Sequence, residues 1–502
     1  MKRLATILLT GLICLPACSQ KAPQHEYKKI VVPATCTEEG YEGEICTICQ
    51  DCKMDTVLPK KAHTYTFTSL NLSGKKSTDF VYYTCTDCGA QEYSAVDPET
   101  IDMPILSVYG DISEMSKENK IRVSITYENG ENSLACDATM KWQGDSSLSY
   151  PKKNYNIQLL EAESDSKHKV TLNEAWGKQS KYCLKANYVD FSHARNVVSG
   201  QLYNEIVHSR ALQDEVSAVK NGGIVDGFPI LIFINDEYQG LYTLNIPKDK
   251  WMFGMEDDEG DGTVKQAVLM ADSWSRSATL REPMNADFVS SGLDLEFCST
   301  EDTIGNGWVS ESFNAMIDFV NNNDGEAFIS GIGEYVSVER TIDSMLYTWF
   351  IMGADNTGKN ILWTTYDGTH WYSSMYDMDC TWGMYYTGEL FCNPQEVSVQ
   401  RYFEDEYFVN LLWTKLWRNF YSDIWKRYFE LRTSVLSTEN IIAKFTEFDE
   451  RIPEIIRNSE KKVWSNIPSK DTNNLQQIID FTYKRVQTLD KYLFENPPTD
   501  FS

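Results

Sequence analysis

Apolar and polar positions along the chain fall into two regimes. From Met103, the stretches MPILSVYG and KIRVSITYENG combine β-branched residues with a glycine turn and predict strands. GFPILIFINDEYQGLYTL predicts a hairpin, in which the apolar runs Ile230–Ile234 and Leu241–Leu244 flank a turn over Asn235–Gly240. After about residue 310 the period changes. In TENIIAKFTEF, the residues Ile441, Ile442, Phe445 and Phe448 share one helical face, and FVNLLWTKLWRNFYSDIW reads the same way. The pattern predicts an α+β chain, strand-rich over about 101–250 and helix-rich over about 251–500.

The run ADNTGKNILWTTYDGTHWYSSMYDMDCTWG, Ala354 to Gly383, sets carboxylates at the ends of apolar, aromatic strands. Burying a carboxylate is costly unless a positive charge accompanies it. Asp355 and Asn360 have the D-x-x-x-x-N spacing of a kinase catalytic loop, in which the Asp orients the attacking hydroxyl and the Asn holds magnesium. Two short strands and a turn lead on to Asp377, placed to hold the bridging magnesium. Carboxylate and amide oxygens suit Mg²⁺ (or Mn²⁺), with the phosphates of ATP and water completing the shell. A strand-rich front lobe followed by a helix-rich back lobe is the order that a kinase fold requires.

Composition narrows the partners. The chain has 502 residues, 42% hydrophobic and 13% aromatic, enough for sizeable cores. Its 46 basic and 73 acidic residues leave a net charge of −27, which argues against general binding to nucleic acid or anionic lipid. The start, MKRLATILLTGLICLPACSQ, reads as an export signal over residues 1–18, too short in its apolar part for an ordinary membrane span. Leu15-Pro16-Ala17-Cys18 resembles the lipobox of bacterial lipoproteins, in which the cysteine carries lipid; plain signal cleavage is the alternative. Either way the mature chain is expected outside the cytoplasm, held at the cell membrane or surface only through an N-terminal anchor, or free.

The thirteen cysteines divide unevenly, six of them between residues 36 and 88. Within residues 19–100, His25 and His63 each open a stretch that runs to a C-x-x-C hairpin, Cys46/Cys49 and Cys85/Cys88. The weak duplication resembles small zinc-ribbon-like repeats on bacterial surface proteins. Four thiolates suit one tetrahedral, structural Zn²⁺ held by Cys46, Cys49, Cys85 and Cys88. Disulfides are the competing reading for an exported chain. The module has too little core to stand without a staple of one kind or the other.

Four stretches in order, MKWQGDSSLSYPKKNYNIQL, YCLKANYVDFSHARNVVSGQLYNEI, FPILIFINDEYQGLYTL and MYDMDCTWG, together resemble the CotH-type, spore-coat-like, atypical protein kinases. The resemblance covers about residues 103–400 plus a helical tail. It implies an atypical protein-kinase-like two-lobe domain over 101–500, with a helical C-terminal part, behind the Cys-rich module. It also implies that Gly144-Asp145-Ser146-Ser147 is a short phosphate-facing turn and that Lys152 and Lys153 match the family's P-K-K. Lys185 is a second lysine for the phosphates, with Glu205 as its helix partner. Asp190 and Arg195 match a family motif and are expected to form a structural ion pair. Asp379 fits the family's D-x-D. Asn245, where the family usually has Glu, is expected near the nucleotide base, and Gln143 stands where the family often has Arg.

The function implied is transfer of the ATP γ-phosphoryl group to Ser or Thr of an extracytoplasmic or surface protein. The alternative is a catalytically weak or inactive kinase-fold surface lipoprotein that serves as a binding, adhesion or structural module. Gln143, Asn245 and the export signal favour the alternative, and the metal-binding residues favour the enzyme.

Overall fold

The computed structural model describes residues 24–71, 80–95, 101–130, 132–258, 262–285, 287–300 and 307–499. The expected export signal and Cys18 lie outside the described residues. The chain divides into two compact units, one formed by the described residues through Thr68 together with Val81–Ser94, the other by the remainder.

The smaller unit is built on two three-stranded sheets. The first orders β1 (Tyr27–Val32), β2 (Gly40–Cys46) and β3 (Cys52–Leu58); the second orders β4 (Tyr65–Asn71), β5 (Phe80–Cys85) and β6 (Gln91–Ala95). Among its described residues few are buried, including Cys36, Cys46, Val81 and Cys85. So small an apolar interior matches the expectation that a staple is needed.

The larger unit begins with seven strands: β7 (Ile105–Tyr109), β8 (Ile121–Asn129), β9 (Asn132–Gln143), β10 (Asn154–Leu160), β11 (Lys181–Lys185), β12 (Gly227–Ile234) and β13 (Glu237–Asn245). They close into a barrel in the order β10-β11-β13-β12-β7-β8-β9. All of its pairings are antiparallel except β7 with β12. Every residue of β12 is buried, which is why its sequence reads as an unbroken apolar run. The turn after it is shorter than the Asn235–Gly240 expected. Asn235 and Asp236 alone make it, with φ of 51° and 65°, because Asn and Asp tolerate the left-handed region that a two-residue hairpin turn demands. A bulge beside Phe233 takes up the extra residue.

Four more strands form a second sheet, β14 (Ala267–Ala271), β15 (Leu293–Cys298), β16 (Ile361–Thr365) and β17 (Trp371–Met375), ordered β15-β14-β16-β17 and wholly antiparallel. The helices are α1 (Arg195–His208), α2 (Glu215–Ala218), α3 (Gly307–Asn322), α4 (Gly325–Gly331), α5 (Val338–Ile351), α6 (Leu411–Asn419), α7 (Tyr421–Arg432), α8 (Thr438–Glu450), α9 (Glu454–Val463) and α10 (Leu475–Glu495). The helical reading of 408–425 holds in two pieces, with Phe420 at the break between α6 and α7. Helix α8 buries Ile441, Phe445 and Phe448 of the face that the spacing picks out, while Ile442 is only partly buried.

Helix α5 is buried from Arg340 through Ile351, so it is a central core helix with polar residues sealed among partners. Asp343 receives hydrogen bonds from Arg210 and Arg427, and Arg340 donates to Asp214. The helix stops at Met352, which has a φ of 56°, and the chain passes directly into the loop that carries Asp355.

Candidate active site

The β16–β17 hairpin brings the acidic residues together. Its register pairs Ile361 with Met375, which sets Asn360 opposite Tyr376, and the Tyr376 amide donates to the Asn360 carbonyl at 2.9 Å. Asn360 and Asp377 sit just outside the two strand ends, both in left-handed backbone with φ of 54° and 56°. The Asn360 amide donates to the Ala271 carbonyl at 2.7 Å, tying the hairpin mouth to β14. Asn360 is largely buried, and its carboxamide makes no hydrogen bond to a described residue.

Asp355 lies on a single 3-10 turn, Ala354–Asn356, immediately before the hairpin. Burial raises its carboxyl above the usual range; Lys359 and Arg401 act the other way, while the charge of Asp377 adds to the rise. The residue that fixes this turn escaped the sequence reading. Asn356 is buried, and its Nδ2 donates to the Tyr376 carbonyl at 2.7 Å and to the Asn360 carbonyl at 3.4 Å. One side chain thus holds the Asp355 turn against both ends of the hairpin.

Asp377 and Asp379 lie in the turn after β17. Burial, then the charge of Asp377, pushes the Asp379 carboxyl up to about 8. Helix α1 pins this turn from behind. Asn196 Oδ1 accepts from the Met378 amide at 3.0 Å, and Arg195 Nε donates to the Thr381 carbonyl at 2.9 Å. Arg195 also forms the buried ion pair expected with Asp190, at 2.6 Å.

Lys185, the last residue of β11, places Nζ 3.8 Å from Asp377 Oδ1. Burial opposes its charge, but Tyr376 and Asp377 favour it, and the balance holds the lysine above its ordinary value. Tyr376 is also approached by a second cation that sequence reasoning missed. Lys248 Nζ lies 5.2 Å from the Tyr376 ring centroid, as Lys185 does at 5.5 Å, and it pairs with Glu296. The signal for Lys248 was weak, since one lysine in IPKDKW reads as an exposed charge.

Three expected residues do other work. Lys152 is a correction: it is buried, and its Nζ donates to the carbonyls of Ala186 and Leu241 and to Glu460 of α9. All three of its donors are engaged inside the protein, which leaves none for the phosphate role expected of it. Lys153 Nζ donates to the carbonyls of Leu148 and Tyr150, so it braces the turn that follows β9 rather than projecting from it. Glu205 is also a correction. It pairs with Lys444 at 2.7 Å and accepts from Asn440, and Lys185 is not its partner.

The turn after β9 carries Gly144, Ser146 and Ser147, the last two on a short 3-10 segment, Ser146–Ser149. Gly144 has a φ of 110°, a backbone conformation that L side chains rarely adopt, so any other residue there would be strained. Asn154 Nδ2 donates to Ser147 Oγ at 3.2 Å. Asn245, at the end of β13, is buried, and neither atom of its carboxamide has a hydrogen-bond partner among the described residues.

The smaller unit corrects the expected single four-cysteine group. Cys46 and Cys49 gather with His25, whereas Cys85 and Cys88 gather with Cys36 and His63. The two knuckles stand in separate groups because each curls back on the histidine of its own repeat.

No curated protein matches the chain. Residues 140–489, more than half of the chain, match the family described as CotH kinase protein, and this span contains Lys185, Asn196, Asp355, Asn356, Asn360, Asp377 and Asp379. The chain belongs to the CotH kinase protein family.

Proposed function

We propose that this protein is a CotH-like protein kinase that transfers the γ-phosphoryl group of ATP to a Ser or Thr hydroxyl of an extracytoplasmic or surface protein. The observation that carries the reading is the meeting of Asp355, Asn360 and Asp377 at one hairpin mouth, with Lys185 3.8 Å from Asp377.

The donor set fits a hard divalent cation. It combines a carboxamide without a protein partner at Asn360 with two neighbouring carboxylates, one of them held protonated up to about pH 8 when no cation is near. Asn360, Asp377 and Asp379 are the residues that would hold Mg²⁺ or Mn²⁺, which when bound with ATP neutralises the phosphate charge. Lys185 and Lys248 present two ammonium groups to phosphate, and the backbone of Gly144–Ser147 offers N–H groups and hydroxyls. The buried, unpartnered carboxamide of Asn245 is assigned to the base. Asp355 accepts the hydrogen bond of the acceptor hydroxyl and orients its oxygen; its raised carboxyl makes it a stronger base than a solvated aspartate. Catalysis here rests on position and fixed charge.

The export signal and Cys18 support an extracytoplasmic chain anchored by lipid. Among the described residues no helix is long and apolar enough to cross a membrane. One observation favours the binding-only alternative: Glu205 is engaged by Lys444, so Lys185 lacks the helix glutamate that a kinase lysine ordinarily has.

The test is mature protein incubated with Mg²⁺ or Mn²⁺ and γ-labelled ATP. Label on serine or threonine of the protein, lost in Asp355→Asn, supports the enzyme. Absence of both label and nucleotide binding would replace it with the binding role.

A further inference from the structure

The two C-x-x-C turns of the smaller unit are copies of one another at the level of single hydrogen bonds. In the first, the Gln50 amide donates to the Cys46 carbonyl at 2.9 Å and the Cys46 amide to the Asp51 carbonyl at 2.7 Å. In the second, Gly89 donates to Cys85 at 3.0 Å and Cys85 to Ala90 at 2.8 Å. The residue after each knuckle is left-handed, Gln50 at 61° and Gly89 at 73°. Thr47 donates to the carbonyl of Glu26, just after His25, and Thr86 to that of Thr64, just after His63. Each histidine therefore sits over its own knuckle. His25 Nδ1 lies 3.5 Å from Cys46 Sγ and 3.2 Å from Cys49 Sγ, and His63 Nδ1 lies 3.3 Å from Cys88 Sγ.

Tetrahedral zinc with Zn–S near 2.3 Å and Zn–N near 2.0–2.1 Å spaces its ligand atoms about 3.6–3.8 Å apart. The separations here, 3.2–4.0 Å, bracket that value, and within each group all ligand atoms lie within 4.8 Å of one another. A disulfide framework has no use for a histidine held at each knuckle. What differs between the copies is the fourth place. Cys36, from the β1–β2 connection of the first sheet, stands 4.0 Å from Cys85 Sγ and completes the second group. No described residue does this for the first group, since Cys52 is exposed at the start of β3 and outside it.

We infer that the N-terminal module binds two zinc ions in unequal sites, a closed Cys₃His site of Cys36, His63, Cys85 and Cys88 and an open site of His25, Cys46 and Cys49. The closed site links the first sheet to the second and is structural. The open site keeps a coordination position for water or a small thiol or imidazole from solution, so its ion exchanges readily.

The test uses full-length mature protein, purified reduced, stripped of metal and titrated with Zn²⁺, with Co²⁺ absorption to read the ligand set. Wild type is expected to bind two equivalents, one tight and one readily removed by a chelator. Cys36→Ser should weaken the tight equivalent by more than the ~10–100-fold that follows loss of an outer-shell partner. Cys36→His, which keeps four ligands, should retain that equivalent with an altered cobalt spectrum, a readout that misfolding would not produce. His25→Ala should remove only the weak equivalent, and Cys52→Ser neither. A single equivalent insensitive to Cys36, or metal-free protein with its module cysteines joined in disulfides by mass spectrometry, would overturn the inference.

Discussion

Lys185 Nζ stands 3.8 Å from Asp377 Oδ1, with the lysine side chain 11% exposed and the aspartate 44%. The lysine ends a barrel strand and the aspartate follows a strand of the second sheet, so the contact joins the two sheets. A lysine this enclosed is not a solvated surface charge, and its half-open partner is free to accept a second ligand. Lys185→Met should therefore melt within a few degrees of wild type, yet lose most of its magnesium-dependent ATP affinity. Thermal melting beside nucleotide calorimetry checks both halves. Unchanged affinity would remove Lys185 from the phosphate site.

Lys152 is the contrasting lysine. It and Glu460 have side chains 0% and 1% exposed, and burial pushes the lysine down and the glutamate up. Nearby His193, 3.7 Å from Glu460, is held well below its ordinary value by burial and stays neutral. Lys152→Met leaves Glu460 buried without its partner and should destabilise the fold by about 3–5 kcal/mol. The double variant Lys152→Met, Glu460→Met should recover part of that loss in urea unfolding. A single variant as stable as wild type but unable to bind ATP would return Lys152 to the phosphates.

Asn356→Ala removes the side chain that holds the Asp355 turn to the carbonyls of Tyr376 and Asn360. The two carbonyls lose a buried donor, at about 1–3 kcal/mol. ATP affinity should stay close to wild type while transfer falls by about 10- to 100-fold, because displacement of the Asp355 turn misaligns the acceptor hydroxyl. Equal losses in binding and transfer would show that Asn356 supports the whole site rather than this turn.

Asp379 sets a pH dependence with a definite sign. Besides burial, the charges of Asp377 and Asp190 raise its carboxyl, while Cys380 and Lys185 act the other way. Its carboxyl titrates near 8 in the folded chain against an ordinary 3.8. Between those values the folded state keeps a proton that the unfolded state has released, so stability falls as pH rises through the window. The melting temperature of metal-free protein should decline from pH 5 to pH 8, and Asp379→Asn should flatten the decline. Magnesium affinity should rise over the same range as the site ionises. Parallel melting curves for wild type and Asp379→Asn would contradict this assignment.

What was legible in the sequence followed from local rules. The β12–β13 hairpin showed because β12 is buried on both faces, and α8 because its buried residues recur at helical spacing. The two strands between Asp355 and Asp377 showed because aromatic and β-branched residues flank Asp367-Gly368. What was missed depends on distant partners. Helix α1 was expected only through the resemblance, as the helix of Arg195 and Glu205; Arg195 through Gly200 are all buried, so no amphipathic stripe marks it within a stretch read as strand-rich. Glu460 lies 308 residues from Lys152, so nothing local marked that lysine as internal. The Cys-x-x-Cys spacing found both knuckles, but Cys36 joins Cys85 from the other sheet and has no spacing signature.

The central claim is that Asp377 binds the magnesium of a magnesium–ATP complex for phosphoryl transfer. Calorimetric titration of magnesium–ATP into wild type, Asp377→Asn and Asp355→Asn, with transfer rates measured on the same preparations, tests it most directly. Asp377→Asn removes one negative charge from a site that must hold a divalent cation, and transfer should fall at least ~100-fold with weakened magnesium-dependent binding. Asp355→Asn should bind nucleotide nearly as wild type does and turn over far more slowly. If Asp377→Asn binds magnesium–ATP as tightly as wild type and transfers phosphate at the same rate, the kinase account is wrong.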